Sequence, residues 1–216
     1  MASSISSQEL ASYIDHTLLK PQACEADILN LCREANQYGF KSVCVNPFFV
    51  PLARLNTHRL VCAVVGFPLG TLPLELKLKE AAYCVREGAD EIDMVVNLAL
   101  IKDKNYKALK EEIQALVLAS SPSRVKVILE TALLTDTEKV EAALIVFEAG
   151  AHFVKTSTGF FGGATPLDVK LLNQTVGGKC QIKASGGIRT KEQALEFISL
   201  GASRIGTSSG VKIVCS

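Results

Sequence analysis

Two lysines and two aspartates are the residues of this sequence best suited to chemistry. Lys155 and Lys183 each end a short, mostly apolar run, Asp93 lies within another such run, and Asp15 lies within the first one. Lysine is almost never fully buried without a partner, so its placement at the ends of two apolar runs is unusual. Two adjacent ammonium groups repel each other, which helps one of them to lose its proton. A neutral lysine amine is the nucleophile that Schiff-base chemistry needs.

Short apolar runs alternate with amphipathic stretches along the chain, and these elements must position the four side chains. The alternation predicts an α/β fold of parallel strands joined by crossover helices. Eight strand–helix units in 216 residues average about 27 residues each, which matches a compact TIM (β/α)8 barrel. The predicted strands are 12–17, 41–46, 61–66, 91–96, 124–130, 152–156, 180–184 and 203–206. Because no linker divides the chain, we expect residues 1–216 to form a single domain, with residues 1–9 as a flexible or short helical N-terminal segment.

A doubly wound open sheet is the alternative to the barrel, because it shows the same alternation of elements. Its helices cover both faces of the sheet, so its strands should be apolar on both faces. In the second predicted strand, however, Val43 and Val45 lie on one face while Ser42 and Asn46 lie on the other. A small barrel carries its helices only on the outside and can line its inner top with polar groups. The strand pattern therefore favours the barrel.

The spacing of the candidate residues is consistent with one shared height in such a barrel. Functional groups of TIM barrels lie at the carboxyl ends of the strands. Lys155 and Lys183 are 28 positions apart, about one unit, so they should lie on neighbouring strands, and Asp93 should lie two strands before Lys155. Each lysine taken alone is also explained by an ion pair with a carboxylate such as Asp93 or Glu130. Because Lys155, Lys183 and Asp93 are all expected to point inward at one height, a functional site is favoured over ion pairs that only stabilise the fold.

Helical spacing and capping residues predict the segments between the strands. Apolar residues recur at helical intervals in 28–35 and 106–117. Thr135 and Thr190 are each followed three positions later by Glu or Gln, as in a capping box, and Thr165 directly precedes a proline. Since the sequence ends soon after the eighth predicted strand, we expect the last helix to be short, with no tail over the site.

Three glycine-rich loops follow predicted strands. Residues 185–188 follow the seventh strand and residues 206–210 follow the eighth. In TIM barrels these two loops often bind phosphate, because glycine lets the backbone approach the anion and present free N–H groups. A third loop, 158–163, follows Lys155 and is placed to close over a ligand. One glycine-rich loop is commonly an ordinary turn, but two on adjacent strands favour a phosphate site.

Composition and charge exclude several classes of function. The formal net charge is +1, from 23 Lys and Arg against 22 Asp and Glu, so we expect no binding of nucleic acid. The seven cysteines are spread singly without a C-x-x-C pair, which indicates reduced thiols in a cytoplasmic protein. No signal peptide is visible, and the uncharged stretch 60–74 is broken by prolines and a glycine, so no membrane span is expected.

Other residues that commonly carry chemistry are less suggestive. His16, His58 and His152 show no metal-ligand spacing, and His16 and His152 fall on the outward strand face, so we expect no metal site. Cys44 faces inward near a strand end, where a core thiol is the first interpretation and a position in the site is the second. Arg189 has two open interpretations, as a phosphate ligand or as a helix cap.

The motifs together resemble the deoxyribose-phosphate aldolase family of class I aldolases. The resemblance covers nearly the whole chain from about residue 10 onward, and the sequence FVKTSTGF around Lys155 is highly specific. The matching motifs are 15–21, 42–45, 65–70, 91–95, 127–131, 153–160 and 182–189.

This resemblance implies a role for each matching residue. Lys155 would form the Schiff base, and Asp93 and Lys183 would relay protons together with a water. Lys183 would also be the cation that eases deprotonation of Lys155, and Asp15 would orient the substrate hydroxyls. The other substrate-binding residues that we expect are Cys44, Thr158, Gly159, Gly186, Gly187, Gly206, Ser208 and Ser209, the last five of them at the 5-phosphate.

The family activity implied is the reversible cleavage of 2-deoxy-D-ribose 5-phosphate to D-glyceraldehyde 3-phosphate and acetaldehyde, in the catabolism of deoxyribose phosphate. It requires no metal or organic cofactor. The partners expected are small molecules, a sugar phosphate and an aldehyde, together with further copies of the chain in a dimer or tetramer. Two alternatives stay open: a Schiff-base lyase with a different donor, and a non-catalytic barrel that binds sugar phosphates.

Overall fold

The structure is a computed structural model that describes residues 5–216. Its strands are β1 Ile14–Leu18, β2 Ser42–Val45, β3 Leu60–Val65, β4 Glu91–Val95, β5 Arg124–Ile128, β6 Phe153–Lys155, β7 Gln181–Ser185 and β8 Arg204–Thr207. Its α-helices are α1 Ser7–Ala11, α2 Glu25–Tyr38, α3 Val50–Asn56, α4 Leu74–Arg86, α5 Leu98–Lys102, α6 Tyr106–Ala119, α7 Asp136–Glu148, α8 Pro166–Val176, α9 Lys191–Ser199 and α10 Gly210–Cys215. Each predicted strand is confirmed, with its ends within two residues of those observed.

The eight strands form a closed parallel barrel in sequence order. Closure is made by β1 and β8, which pair in parallel with Asp15 opposite Gly206. An open sheet has two edge strands, whereas each of these eight strands pairs with a neighbour on both sides. The predicted TIM (β/α)8 architecture is therefore confirmed, and the open-sheet alternative is wrong.

The two faces of the strands differ as the sequence pattern predicts. The outward residues Val43 and Val45 belong to the main apolar core between the barrel and the helices. Inside the barrel, Cys44 packs in a small apolar cluster with Cys62 and Val64. The interior also contains buried charged side chains, which are held there by ion pairs with one another.

Local sequence explains where the helices begin. Thr135 and Thr190 form the predicted capping boxes of α7 and α9, and the Thr165 hydroxyl accepts a hydrogen bond from the third residue of α8. The helix α10 has six residues, as short as expected. Of the N-terminal segment predicted for residues 1–9, the part from Ser7 onward is helical, and residues 1–4 lie outside the described part of the chain.

Candidate active site

The two lysines and Asp93 meet inside the barrel near its carboxyl end. Lys155 on β6 lies directly opposite Lys183 on β7 in the strand register, and Asp93 is contributed by β4. The oxygen Asp93 Oδ2 lies 2.7 Å from Lys155 Nζ and 2.7 Å from Lys183 Nζ. The spacing therefore predicted their meeting correctly, and the structure adds that one carboxylate oxygen lies between the two amines.

Asp15 joins this group from β1. Its Oδ2 lies 2.5 Å from Lys183 Nζ, so Lys183 is held between two carboxylates. The other oxygen of Asp15 accepts hydrogen bonds from the Ser42 hydroxyl and the Arg204 guanidinium, both at 2.6 Å. Asp15 is completely buried. Its side chain is thereby fixed in one orientation below Lys183.

A second layer of charges lies beneath these residues, and the sequence analysis gave it no role. Lys126 Nζ lies 2.8 Å from Asp93 Oδ1 and 2.5 Å from Glu91 Oε2. Arg204 donates to both oxygens of Glu91, at 2.9 and 3.0 Å. The signal was present in the alternation, since Glu91 shares a strand face with Asp93 and Arg204 shares one with Gly206. The sequence pattern did not show which of these inward charges form ion pairs with each other.

Burial and charge act in opposite directions on the ionisation of this network. Burial favours the protonated form of Asp93, but Lys126, Lys155 and Lys183 outweigh it and hold the pKa of Asp93 well below its usual range. Burial disfavours the charged form of Lys183, yet Asp15 and Asp93 raise its pKa well above the ordinary value. Asp93 is therefore a carboxylate and Lys183 a permanent cation at neutral pH.

A cluster of two thiols and a carboxylate adjoins this network. Cys44, Cys62 and Asp93 place their sulfur and oxygen atoms within 4.8 Å of one another, as metal ligands would. Lys126 Nζ is already 3.4 Å from Cys62 Sγ and supplies positive charge there. Burial also raises the pKa of Cys62 well above its usual value, which disfavours the thiolate that a metal requires. The cluster fits a packed polar interior better than a metal centre.

The histidines take no part in this arrangement. His16 faces outward and lies 2.7 Å from Glu34 on α2. His152 accepts a hydrogen bond from the backbone N–H of Val125 at 3.1 Å. Both positions agree with the prediction that these rings lie on the outer face of the barrel.

A cavity of about 410 Å³ opens above the network at the carboxyl ends of the strands. Of the expected site residues, those that line it are Lys155, Thr158, Gly159, Gly186, Gly187, Gly206 and Ser208. Asp93, Lys183, Asp15 and Cys44 lie in the barrel interior and do not line the cavity. Ser209 is the N-cap residue of α10 and directly follows the lining residue Ser208. Among Lys126, Lys155 and Lys183, Lys155 alone reaches the cavity.

The cavity also includes residues that the sequence analysis did not select. One wall is the segment 17–21, which comprises the end of β1 and the loop after it, and the other lining residues are Phe160, Ser185, Ile188, Arg189 and Thr207. Arg189 is exposed, and its backbone N–H rather than its side chain takes part in the cap of α9, by donating to Gln193. Arg189 thus lines the cavity, and its role as a phosphate ligand stays a prediction.

The loops after β7 and β8, which line one end of the cavity, contain backbone N–H groups that donate to no protein acceptor within residues 5–216. These are the N–H groups of Gly186, Gly187 and Ser208. Gly186 and Gly187 have φ of +90° and +76°, a backbone conformation that residues with a side chain rarely adopt. A Cβ on Gly186 would lie 2.9 Å from Gly163 Cα. Only glycine therefore fits this turn, and its free N–H groups suit an anion.

Comparisons with known proteins extend over nearly the full chain. A sequence model of the DeoC/LacD family aldolases matches residues 10–214. The chain is 53% identical over 215 residues to the deoxyribose-phosphate aldolase of Thermococcus kodakarensis, covering 96% of both proteins. It is 54% identical over 210 residues to that of Clostridium botulinum strain Langeland, covering 95% of this chain and 99% of the relative. Among solved structures, the deoxyribose phosphate aldolase from Aeropyrum pernix, described as having a unique tetrameric structure, is similar with a TM-score of 0.91 and 41% identity, covering 98% of this chain and 92% of the other.

Proposed function

The chain belongs to the DeoC/LacD family of aldolases, and on that premise we propose that residues 1–216 form one aldolase domain in which Lys155 is the Schiff-base residue. Its activity is that of a class I aldolase, the reversible cleavage of 2-deoxy-D-ribose 5-phosphate to D-glyceraldehyde 3-phosphate and acetaldehyde. One observation carries the residue assignment: three buried lysines surround Asp93, and of these Lys155 is the one that lines the cavity.

The chemistry begins with attack of the neutral Lys155 amine on the aldehyde carbon of the open-chain sugar. The Lys155 ammonium lies 2.7 Å from Asp93 Oδ2, so Asp93 is placed to take the proton that the amine must release. Lys183 stays charged beside the same oxygen. Its positive charge compensates Asp93 while protons move between the amine, the carboxylate and a water.

Carbon–carbon cleavage follows from the iminium that the amine forms after loss of water. Acetaldehyde contains C1 and C2 of the sugar, so the bond that breaks is C2–C3. Its electron pair moves into the iminium to give an enamine as the C3 hydroxyl loses its proton, and D-glyceraldehyde 3-phosphate leaves. Protonation of the enamine at C2 and hydrolysis then release acetaldehyde and restore Lys155. Asp93 and Lys183 are the proposed relay for these proton transfers. Asp15 is completely buried and does not line the cavity, so its proposed effect on the substrate hydroxyls acts through Lys183, whose Nζ lies 2.5 Å from its Oδ2.

The 5-phosphate occupies the end of the cavity that is lined by the loops with the free backbone N–H groups of Gly186, Gly187 and Ser208. This assignment is supported by the lack of protein acceptors for those groups and by the position of Arg189 at the wall. Gly206 and Ser209 flank the same turn. Thr158 and Gly159, in the loop after β6, are the remaining residues proposed to contact the sugar. The expected contact of Cys44 stays a prediction, because its side chain is completely buried and does not line the cavity.

Trapping the Schiff base tests this assignment directly. We expect borohydride reduction in the presence of 2-deoxyribose 5-phosphate to leave an adduct whose peptide, mapped by mass spectrometry, contains modified Lys155. The Lys155→Ala variant is the control and should give no adduct. An adduct on another lysine would overturn the assignment of the nucleophile, and a folded protein without any adduct would favour the non-catalytic sugar-phosphate barrel. Condensation with pyruvate or dihydroxyacetone in preference to acetaldehyde would indicate a lyase with a different donor.

The exposed surface and the cysteines bear on the oligomeric state and the cellular location of the protein. We infer a homo-oligomer, a dimer or tetramer, because large apolar side chains are strongly exposed, among them Phe48 at 76% and Leu55 at 84%. Light scattering of the purified protein tests this, and a monomer would contradict it. We also infer a cytoplasmic location without nucleic-acid partners, supported by seven free cysteines and a net charge of +1. In the part of the chain from residue 5 onward, no helix is both long and apolar enough to cross a membrane.

A further inference from the structure

Glu130 is a buried carboxylate that the proposed mechanism does not use. It follows β5 directly, is 1% exposed and has φ 55° and ψ 61°. This left-handed conformation is uncommon for a residue with a side chain, and such residues cluster at functional sites. The neighbouring residues are firmly held, because Leu129 donates to the Lys155 carbonyl and Thr131 to the Thr156 carbonyl, both at 3.0 Å. The strained residue therefore lies beside the strand that carries Lys155.

The carboxylate of Glu130 is directed at one residue of the cavity wall. The backbone N–H of Thr158 lies 3.3 and 3.2 Å from its two oxygens, and the Thr158 hydroxyl donates to Oε2. Thr158 Oγ1 in turn accepts a hydrogen bond from the backbone N–H of Phe160 at 3.1 Å. The Phe160 ring packs edge-on against Phe67, which follows β3, at 5.4 Å between ring centres. A single chain of hydrogen bonds thus connects Glu130 to the ring at the cavity mouth.

We propose that Glu130 is a positioning residue for the substrate: it holds Thr158 in the cavity wall and, through Thr158, holds Phe160 against Phe67 at the cavity mouth. An acceptor oxygen is needed at this position, because Thr158 directs both its N–H and its O–H to Oε2 of the same partner. Burial raises the pKa of Glu130 above its usual value, although the hydrogen bonds from Thr158 and the charge of Lys155 reduce this effect. The kinetic part of this inference rests on the proposed aldolase function, whereas the effect on Phe160 does not.

A glycine at position 130 distinguishes the role of the carboxylate from that of the left-handed backbone. The Glu130→Gly variant removes the acceptor while fitting the left-handed conformation, so we expect it to fold. We expect its KM for 2-deoxyribose 5-phosphate to rise about tenfold with kcat changed less than threefold, because Lys155 is held by strand pairing and Thr158 by Glu130. Glu130→Gln retains one acceptor and should recover at least half of the loss on a logarithmic scale. A purely structural Glu130 would lower kcat and the melting temperature and leave KM unchanged.

A fluorescent probe reads the position of residue 160 without any activity. The sequence contains no tryptophan, so Phe160→Trp gives a protein with one indole, at the cavity mouth. We expect acrylamide quenching of this indole to increase about twofold when Glu130→Gly is added. Equal quenching in the two backgrounds, or an unchanged KM in Glu130→Gly, would overturn the proposal. If the parent protein lacks aldolase activity, the proposed function fails while the quenching comparison still decides the role of Glu130.

Discussion

Replacement of Lys183 by leucine is the perturbation whose consequences the network predicts most sharply. Lys183 is 1% exposed and lies 2.5 Å from Asp15 and 2.7 Å from Asp93. Removing one partner of a buried ion pair costs about 3–5 kcal/mol, because the remaining charge stays buried. For a chain of this size each kcal/mol lowers Tm by about 2–4 °C, so we expect Tm to fall by roughly 6–20 °C. Loss of a proton-relay group should lower kcat by about 10²–10⁴.

The ionisation of Lys183 decides the pH at which thermal unfolding of Lys183→Leu should be measured. Its pKa is raised in the folded protein, so its stabilising contribution is fully present below the unfolded value of about 10.4 and is lost as the pH rises through the folded pKa. Thermal unfolding by circular dichroism at pH 7 therefore measures the full contribution. Steady-state cleavage of 2-deoxyribose 5-phosphate, followed by release of the triose phosphate, gives kcat and KM below the new Tm.

A second substitution distinguishes the charge argument from simple damage to the core. In Lys183→Leu, Asp15 keeps Arg204 beside Oδ1, but its Oδ2 loses its nearest cation. Adding Asp15→Asn removes that carboxylate charge, so stability should partly recover, by about 0.5–3 kcal/mol relative to additivity. Activity should not recover, because the relay still lacks its cation. A kcat within threefold of the parent in folded Lys183→Leu would show that Lys183 is structural. An unchanged Tm would refute the reasoning from buried charge.

Three further outcomes are expected. Lys155→Ala should abolish turnover while keeping the circular dichroism spectrum, and substantial activity in the folded variant would contradict its role as nucleophile. Gly186→Ala should raise KM for the phosphorylated substrate about tenfold, because the added Cβ contacts the loop after β6. Gly178→Ala is the matched control, since Gly178 also has a positive φ, +78°, but has no atom within 4 Å of the added Cβ. It should lower the free energy of unfolding by about 1–3 kcal/mol and leave KM unchanged. The pKa values of Asp15 and Asp93 are lowered in the folded protein, so the stability that these carboxylates contribute is present above about pH 4 and is lost as the pH falls below it. Tm should therefore drop more steeply on acidification for the parent than for Asp15→Asn. Parallel curves of Tm against pH would contradict this.

The barrel and the level of its chemistry could be predicted from the sequence because both depend on local periodicity. Alternation along each strand decides which side chains point inward, and a repeat of about 27 residues places equivalent positions at one height. These two rules bring Lys155, Lys183 and Asp93 together without knowledge of any contact. The same rules place the glycine-rich loops after β7 and β8 at one end of the barrel.

Which charges pair inside the barrel was decided by the tertiary structure. Lys126 and Arg204 are inward by alternation, but their partner Glu91 is 113 positions from Arg204 in sequence. A barrel interior brings the ends of long side chains from several strands together, and the choice of partner depends on their reach and rotamers. The spacing of residues along the chain gives neither the reach nor the rotamer of a side chain.

The wall of the cavity was likewise not readable from motifs alone. The segment 17–21 reaches the site because β1 closes the barrel against β8, which places the first loop beside the last. Glu130 is aimed at Thr158 by a left-handed backbone that its residue type does not predict. The sequence by itself determined the fold and the height at which Lys155, Lys183 and Asp93 lie, since these follow from periodicity. The tertiary structure decided the ion pairs and the cavity wall, since these depend on ring closure and on the conformation of single residues.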